Sequence, residues 1–425
     1  MKRIKEKVDL LVAGGGTAGH IAAIQAAREG ISVSLIEAAS MLGGTMTDGG
    51  VFMPNHYHSP DFPVVLGIPW ELFEKSKEIE GLPIKDYRKR RPSETPGYYS
   101  YINIPIYAAV AEKTALKAGV DIHYHEFVGE VKAVGDRWEV TSFARGTKRI
   151  STTKELIDCT GDADVCRALG LEVTKSPDRQ PGALQYRIED IDLQQIFPGE
   201  AQLIYEEAMA KGRLKKGDWA YFTQHPFFWL LQRGGHNATH IYDCDTSDAD
   251  GQTRANIEGR ERMLRVYRFI KEEIPGAERA VLKTMYNRAL SREGYRVVGE
   301  HRISESEFMS AKVYPDAICN AFNYIDLHNE ENGCMEIFHD SREMIPKIPF
   351  RSLIPKGSSR ITIAGRHLSS DRVSMAGLRA QCTCMAMGQA MGAAAALAVQ
   401  KGIPSREVNA KDIVALTVEH GAVSL

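Results

Sequence analysis

The chain has 425 residues, 43% hydrophobic and 25% charged, enough for two or three domains with large cores; a disulfide-stapled miniprotein, a collagen-like repeat and a disordered polymer are excluded. Lys+Arg 53 against Asp+Glu 55 gives a formal charge of −2, without the basic footprint of a nucleic-acid or anionic-membrane partner. The seven cysteines, odd in number and scattered, argue against a disulfide framework and for a reducing compartment, so the cytoplasm is the expected location.

Val8 to Ala13 is a short apolar run of the kind buried parallel strands show, and Gly14-Gly15-Gly16-Thr17-Ala18-Gly19 follows it directly. A helical segment, Ala18 to Glu29, stops at Gly30, and a second apolar run, Ile31 to Ile36, ends on Glu37. This order is the signature of a dinucleotide-binding βαβ unit. Gly14 permits the tight turn, Gly16 lets backbone approach a pyrophosphate, and Gly19 lets helix pack closely on strand. The amides of the helix start, at Thr17 and Ala18, face the phosphates. Glu37 lies 23 residues after Gly14, where a carboxylate accepts hydrogen bonds from an adenosine ribose, with Ala38 beside it. A simple NAD domain would continue into an ordinary helix. Here a second glycine-rich stretch runs to Gly50, and its Gly43, Gly44 and Thr45 suit a longer cofactor, FAD, followed along its ribityl chain.

Asp121 to Val128 and Trp138 to Phe143 read as further strands. From about Ser176 the pattern changes. Ala183 to Ile188, Trp219 to Phe222, Phe227 to Leu231 and Thr239 to Tyr242 read as strands between polar loops, so a substrate domain is expected to interrupt the nucleotide domain. Ala255 to Glu272 is an amphipathic helix closed by Pro275-Gly276. Arg360 to Ala364 reads as a strand and Gly365 as a turn. A helix starting near Met375 to Gly377 would aim its amino end at a flavin's pyrimidine edge and stabilise the charge that builds there on reduction. Met385 to Val399 is shorter than the ~18 residues that span a bilayer and is broken by Gly388, Gln389 and Gly392, so a buried helix is expected, flush against the first βαβ unit.

Several motifs recur along almost the whole chain: Gly43-Gly44-Thr45, Thr160-Gly161-Asp162, Arg292 to Gly299, Asp326-Leu327-His328, Ile348 to Pro355, Ile363-Ala364-Gly365-Arg366, and Gly377-Leu378-Arg379 running on to Ala394. In these motifs the chain resembles the FAD-dependent oxidoreductase family, two-dinucleotide-binding-domain flavoproteins related to fumarate reductase and heterodisulfide reductase subunits. Gly294 and Tyr295 depart from that family's Ser and Arg. The resemblance implies FAD contacts at Thr160, Gly161, Gly365, Arg366, Met375 and Gly377, and a backbone contact from Val128 to adenine. Patterns and resemblance together predict an α/β protein. Its discontinuous Rossmann-like FAD-binding domain takes residues 1–60, 100–175 and 345–425, with a loop or cap segment at 61–99. The inserted α+β substrate domain, 176–344, is expected to rest on a mixed or antiparallel sheet.

For the chemistry, His328 is the first candidate base, because the neighbouring Asp326 would fix its tautomer and raise its basicity. Arg296 and Arg351 offer paired donors to an anionic or carbonyl oxygen, and His58, just past the flavin loop, is a candidate substrate contact. Structural readings stand beside these: a capped loop histidine for His328, a domain-interface salt bridge for each arginine. Neither His56/His58 nor His123/His125 has a third ligand at a recognisable spacing, so no metal is expected. The expected function is hydride transfer between flavin N5 and a small organic substrate bearing a hydroxyl, an amine or an activated C–C bond. An FAD-binding electron-transfer subunit of a larger redox complex is the alternative. Without a second glycine fingerprint for NAD(P)H, the electron acceptor is left open among oxygen, a quinone and another protein. The expected partner is a small molecule, neither nucleic acid nor membrane, and a homo-oligomer is allowed.

Overall fold

In the computed structural model, which describes residues 1–59, 63–84, 100–340 and 344–425, the amino-terminal apolar run lies at the centre of a seven-stranded sheet. Strand β1 (Lys2–Ala13) is flanked by β2 (Val33–Glu37) and β6 (Thr147–Asp158), and β3 (Val120–Tyr124) lies outside β2, all four parallel. Only Leu10–Ala13 of β1 are fully enclosed. The preceding Lys-Arg-Ile-Lys-Glu-Lys segment alternates because its strand pair reaches beyond the helices into solvent. Strand β6 divides its edge. Residues 147–153 pair antiparallel with β5 (Arg137–Ala144), which pairs with β4 (Phe127–Val134), and residues 156–158 pair in parallel with β15 (Ile361–Ile363). The parallel order β3-β2-β1-β6-β15 is that of an open dinucleotide-binding sheet, in which ligands bind beyond the carboxyl ends of the strands.

Helices α1 (Gly19–Arg28), α2 (Ile68–Glu80) and α3 (Ile104–Ala118) contribute to the main core on one face, and α4 (Asp164–Ala168) packs with the β4–β5 hairpin on the other. Part of the segment expected as a loop or cap, 61–99, is thus the packed helix α2; residues 61, 62 and 85–99 lie outside the described residues. A second core gathers α5 (Pro198–Ala210), α6 (Phe228–Gln232) and α7 (Ala249–Glu273) around Trp219 and Phe227, under the ribbon β8 (Tyr186–Glu189) with β9 (Val281–Met285). Further two-stranded ribbons pair β7 (Val173–Thr174) with β10 (Arg296–Val297), β11 (Ala317–Asn320) with β14 (Lys347–Pro349), and β12 (Ile325–Asn329) with β13 (Gly333–Ile337). The chain then passes α8 (Glu305–Met309), α9 (Arg372–Leu378), α10 (Gln381–Lys401) and α11 (Ala410–Glu419).

The inserted region is therefore α+β with antiparallel pairing, as expected, and among the described residues that pairing is confined to two-stranded ribbons. Phe227 to Leu231 is helical: Phe227, Leu230 and Leu231 are buried at helical spacing, a period that a five-residue apolar window disguises. Trp219 to Phe222 pairs with no strand among the described residues; Trp219 and Tyr221 are buried in the second core while Phe222 is exposed, and Thr239 to Tyr242 contributes one isolated bridge at Ile241. Most buried apolar residues from Val297 to Ile354 join the first core, while Cys334 belongs to the second.

Helix α10 is long and apolar enough to cross a membrane by length and composition, yet 83% of its most apolar window is buried in the protein. It packs on α1 at backbone distance. A Cβ on Gly388 would lie 2.1 Å from the Ala18 carbonyl oxygen, and one on Gly392 would lie 2.3 Å from that of Ala22.

Candidate active site

The turn after β1 is built from backbone. Gly14 has φ +94°, and a Cβ there would stand 2.6 Å from the Cys159 carbonyl oxygen; a Cβ on Gly19 would stand 1.8 Å from that of Gly14. The second glycine loop locks onto the first: Gly43 N–H donates to the Gly15 carbonyl at 3.0 Å, and the Thr17 hydroxyl to the Gly43 carbonyl at 3.2 Å. At the end of β2, Glu37 accepts from Gly15 N–H at 2.6 Å and Ala39 N–H at 2.7 Å. Burial pushes its carboxyl above the usual range, against these bonds and Arg288. After β6, Asp158 shapes the next turn by accepting from the Thr160 amide and hydroxyl and from the Cys166 amide. Arg366 crosses to that turn, donating to Gly161 O (2.9 Å), Ser291 O (2.5 Å) and Asp162 Oδ2 (2.6 Å).

These segments line one continuous cavity of about 1460 Å³, larger than a single ligand pocket of roughly 300–1,000 Å³. Gly14, Gly16, Thr17, Ala18, Glu37 and Ala38 border it, as do Gly44, Thr45, Val128, Thr160, Gly161, Gly365 and Arg366. Gly19 and Gly43 lie outside the lining and act on the loops themselves. Met375 and Gly377 also lie outside it: Met375 is buried, and Gly377 is the seat of the Phe308 ring, 2.5 Å from where a Cβ would be. The helix that presents its amino end to the cavity is α10 rather than α9, through Arg379, Ala380 and Gln381. Arg379 Nε and Gln381 Oε1 there are buried without a hydrogen-bond partner among the described residues. Close-approach glycines at one set of turns and unpaired polar atoms at a helix amino end suit an extended dinucleotide with a polar ring.

Elsewhere the cavity is lined by the β12–β13 ribbon. Two-residue alternation and the register Asp326↔Glu336 and His328↔Cys334 put Tyr324, Asp326 and His328 on one face with Glu336 and Phe338. His328 Nε2 is 3.0 Å from Asp326 Oδ1, and its Nδ1 is 2.8 Å from His240 Nε2. The Cys334 thiol donates to Asp326 Oδ1 at 3.0 Å, and Arg379 donates to Oδ2 at 3.1 Å and to the Asp326 carbonyl at 2.9 Å. Burial would raise the Asp326 carboxyl, but His328, Arg379 and the thiol hold it well below the usual carboxylate range. An ionised carboxylate only accepts, so Nε2 of His328 carries the hydrogen and its Nδ1 lone pair receives the N–H of His240. The tautomer is the one expected from Asp326, but the raised basicity is not. Burial, then Arg292, outweigh the carboxylate and bring His328 down to about 4.

The other sequence candidates lie apart from this cavity. Arg351 is surface-exposed and paired with Asp316 at 3.0 Å, the salt bridge its structural reading describes. Arg296 is buried beside Ser176 and Glu293. His58 packs edge-on against Trp70, while His56 borders the cavity. The cavity is bordered instead by Tyr221, Arg233 and Asn237, which no motif announces, and by Arg292, with His240 behind His328. Two signals were present in the sequence. Arg292 opens the segment from which Arg296 was chosen, and Arg379 closes the Gly377-Leu378-Arg379 motif.

Among solved structures, the chain is similar to a geranylgeranyl bacteriochlorophyll reductase-like protein from Thermoplasma acidophilum, at 14% identity over 98% of this chain and 83% of that one, with a TM-score of 0.45. It is similar to p-nitrophenol 4-monooxygenase PnpA from Pseudomonas putida DLL-E4, at 12% identity over 99% and 85%, with a TM-score of 0.44. With CabE, an aromatic hydroxylase from angucycline biosynthesis, 44% of this chain matches at 16% identity and a TM-score of 0.30, spanning only 40% of that protein. A family model described as FAD dependent oxidoreductase matches residues 9–416. The chain belongs to the FAD-dependent oxidoreductase family, and FAD is its cofactor.

Proposed function

We propose that this enzyme exchanges a hydride between FAD and a small organic substrate, at a carbon bearing a hydroxyl or amine or at an activated C–C bond. The observation that carries the reading is the single cavity that joins the glycine loops to the His328 ribbon. When bound, FAD supplies the two-electron acceptor and donor. The two glycine loops and Glu37 would hold the nucleotide portion, and the amino end of α10 would offer the polar ring edge the Arg379 Nε–H donor, the Gln381 Oε1 acceptor and a positive dipole.

His328 handles the substrate proton. With its pKa near 4 the imidazole is neutral at physiological pH, and its lone pair at Nδ1 is held by the His240 N–H. Taking the substrate proton at Nδ1 requires the ring to turn that nitrogen from His240, which does not border the cavity, toward the substrate, and Asp326 beside the ring then balances the positive charge so formed. Anaerobic addition of substrate to the purified holoenzyme tests the reading: bleaching of the flavin visible absorbance is expected. A protein with no flavin spectrum, even after reconstitution with FAD, contradicts it.

A further inference from the structure

We propose that Arg233, Arg292 and the Tyr221 hydroxyl form an oxyanion subsite and that the substrate is an organic carboxylate. The inference rests on the reading of this cavity as a redox site and adds the class of molecule it takes.

The arginines bordering the cavity fall into two sets. Arg366, Arg288 and Arg379 are neutralised by Asp162, Asp48 and Asp326. Arg233 and Arg292 border the same cavity, and among the described residues neither forms an ion pair at contact distance; Asp326, already engaged by Arg379 and His328, acts on Arg292 only at longer range. Arg292 is fixed by neutral acceptors instead, Pro181 O at 2.7 Å and Asn237 Oδ1 at 3.1 Å, which engage two of its five N–H groups. Asn237 also donates from Nδ2 to Tyr221 Oη at 3.1 Å. That bond satisfies the Tyr221 oxygen as an acceptor and leaves its O–H to donate elsewhere. Arg233 stacks on Trp229 with its guanidinium carbon 4.2 Å from the ring centroid, and lies 5.9 Å from that of Tyr221. Two cations thus flank one hydroxyl donor, with their geometry set by groups that carry no negative charge.

A partly buried guanidinium without a counter-ion is costly, and paired N–H donors match a carboxylate. The surroundings register the unbalanced charge. After burial, Arg292 is the next cause lowering His240 and His328, and Arg233 does the same for His225. A substrate carboxylate supplies the missing charge and places the rest of the molecule along the His328 ribbon.

The test uses FAD-loaded enzyme with benzoate and its neutral isostere benzamide as probes, followed by perturbation of the flavin spectrum and by calorimetry. Benzoate is expected to bind saturably and at least ~10-fold more tightly than benzamide, the scale of hydrogen bonds to a charged group. Arg292→Gln and Arg233→Gln are each expected to weaken benzoate at least ~10-fold without changing benzamide. Arg233 is half-buried and its side chain holds no backbone group among the described residues, so its variant tests the subsite even where Arg292→Gln fails to fold. Equal affinity for the two probes, or benzoate binding undiminished in Arg233→Gln, overturns the proposal. Enzyme that carries reducible flavin but ignores benzoate loses only the subsite; enzyme that carries no flavin loses the redox reading itself.

Discussion

The two ends of the cavity are built by different means. Around the nucleotide, three turns do the work with backbone: Gly14 to Gly19, Gly43 to Thr45 and Thr160 to Asp162, each local in sequence and each following or crossing a strand end. Around His328 the work is done by side chains from distant segments. Tyr221, Arg233, Asn237 and His240 come from the stretch between α5 and α7, Arg292 from the segment before β10, Asp326 and His328 from β12, and Arg379 from the turn between α9 and α10. Gripping a pyrophosphate requires backbone to come close, which only a spaced set of glycines permits. Choosing a substrate requires functional groups, which any fold can bring from anywhere.

The largest effect should come from the backbone end. Gly19→Ala places a methyl 1.8 Å from the Gly14 carbonyl oxygen, within rigid main chain. The variant is expected to purify without FAD and to lose at least about 1–3 kcal/mol of stability, the scale of overpacking. Flavin absorbance per protein and thermal denaturation check this; normal FAD content would remove the glycine turn from the binding site.

At the other end, His328→Ala should leave FAD bound and slow anaerobic flavin reduction by at least ~10²-fold, the scale of a lost general base. Stopped-flow absorbance gives the rate, and an unchanged value would strike His328 from the site.

A smaller effect separates burial from charge. His20, His56, His58, His236 and His328 are each brought down to about 4, first by burial. Unfolded imidazoles bind protons below about 6.5. Between pH 6.5 and 4 the unfolded chain therefore holds more protons, and native stability falls as pH drops through that window. Glu155 and Asp164, raised to about 7 by burial, and Glu37 and Glu336, also raised, act in the opposite direction as pH falls, but His225, His240, His339 and His367 are lowered as well, so nine histidines oppose four carboxyls. Denaturant midpoints are expected to decline from pH 6.5 to 4; a flat or rising profile would mean that these rings are not held neutral in the native state.

The smallest effect is expected at Arg351. Its exposed pair with Asp316 is worth about 0–1 kcal/mol, and Arg351→Ala should leave the flavin reduction rate as it is. A drop in that rate would return Arg351 to the active site.

The same contrast explains what the sequence disclosed. The βαβ unit, Glu37, the FAD loop and the close approach of α10 to α1 were legible, because glycine spacing and apolar runs encode them locally. His328 with Asp326 was legible as a pair from the Asp326-Leu327-His328 motif, and the structure adds that strand alternation places both on one face. His240, whose N–H meets His328 from 88 residues away, had no local signal. Arg296 and Arg351 were chosen for their charge, and their partners Glu293 and Asp316 could be identified only after folding. The helix start was misassigned by one short helix: Gly377 marks a place where backbone is approached closely, but the approaching group is Phe308.

The direct test of one cavity serving both ends is the electron density of FAD-loaded crystals. FAD should run from Glu37, at its adenosine ribose, to the amino end of α10 beside Arg379 and Gln381, leaving open volume between its ring and His328. A flavin ring bound away from α10, or one that fills the space in front of His328, would contradict it.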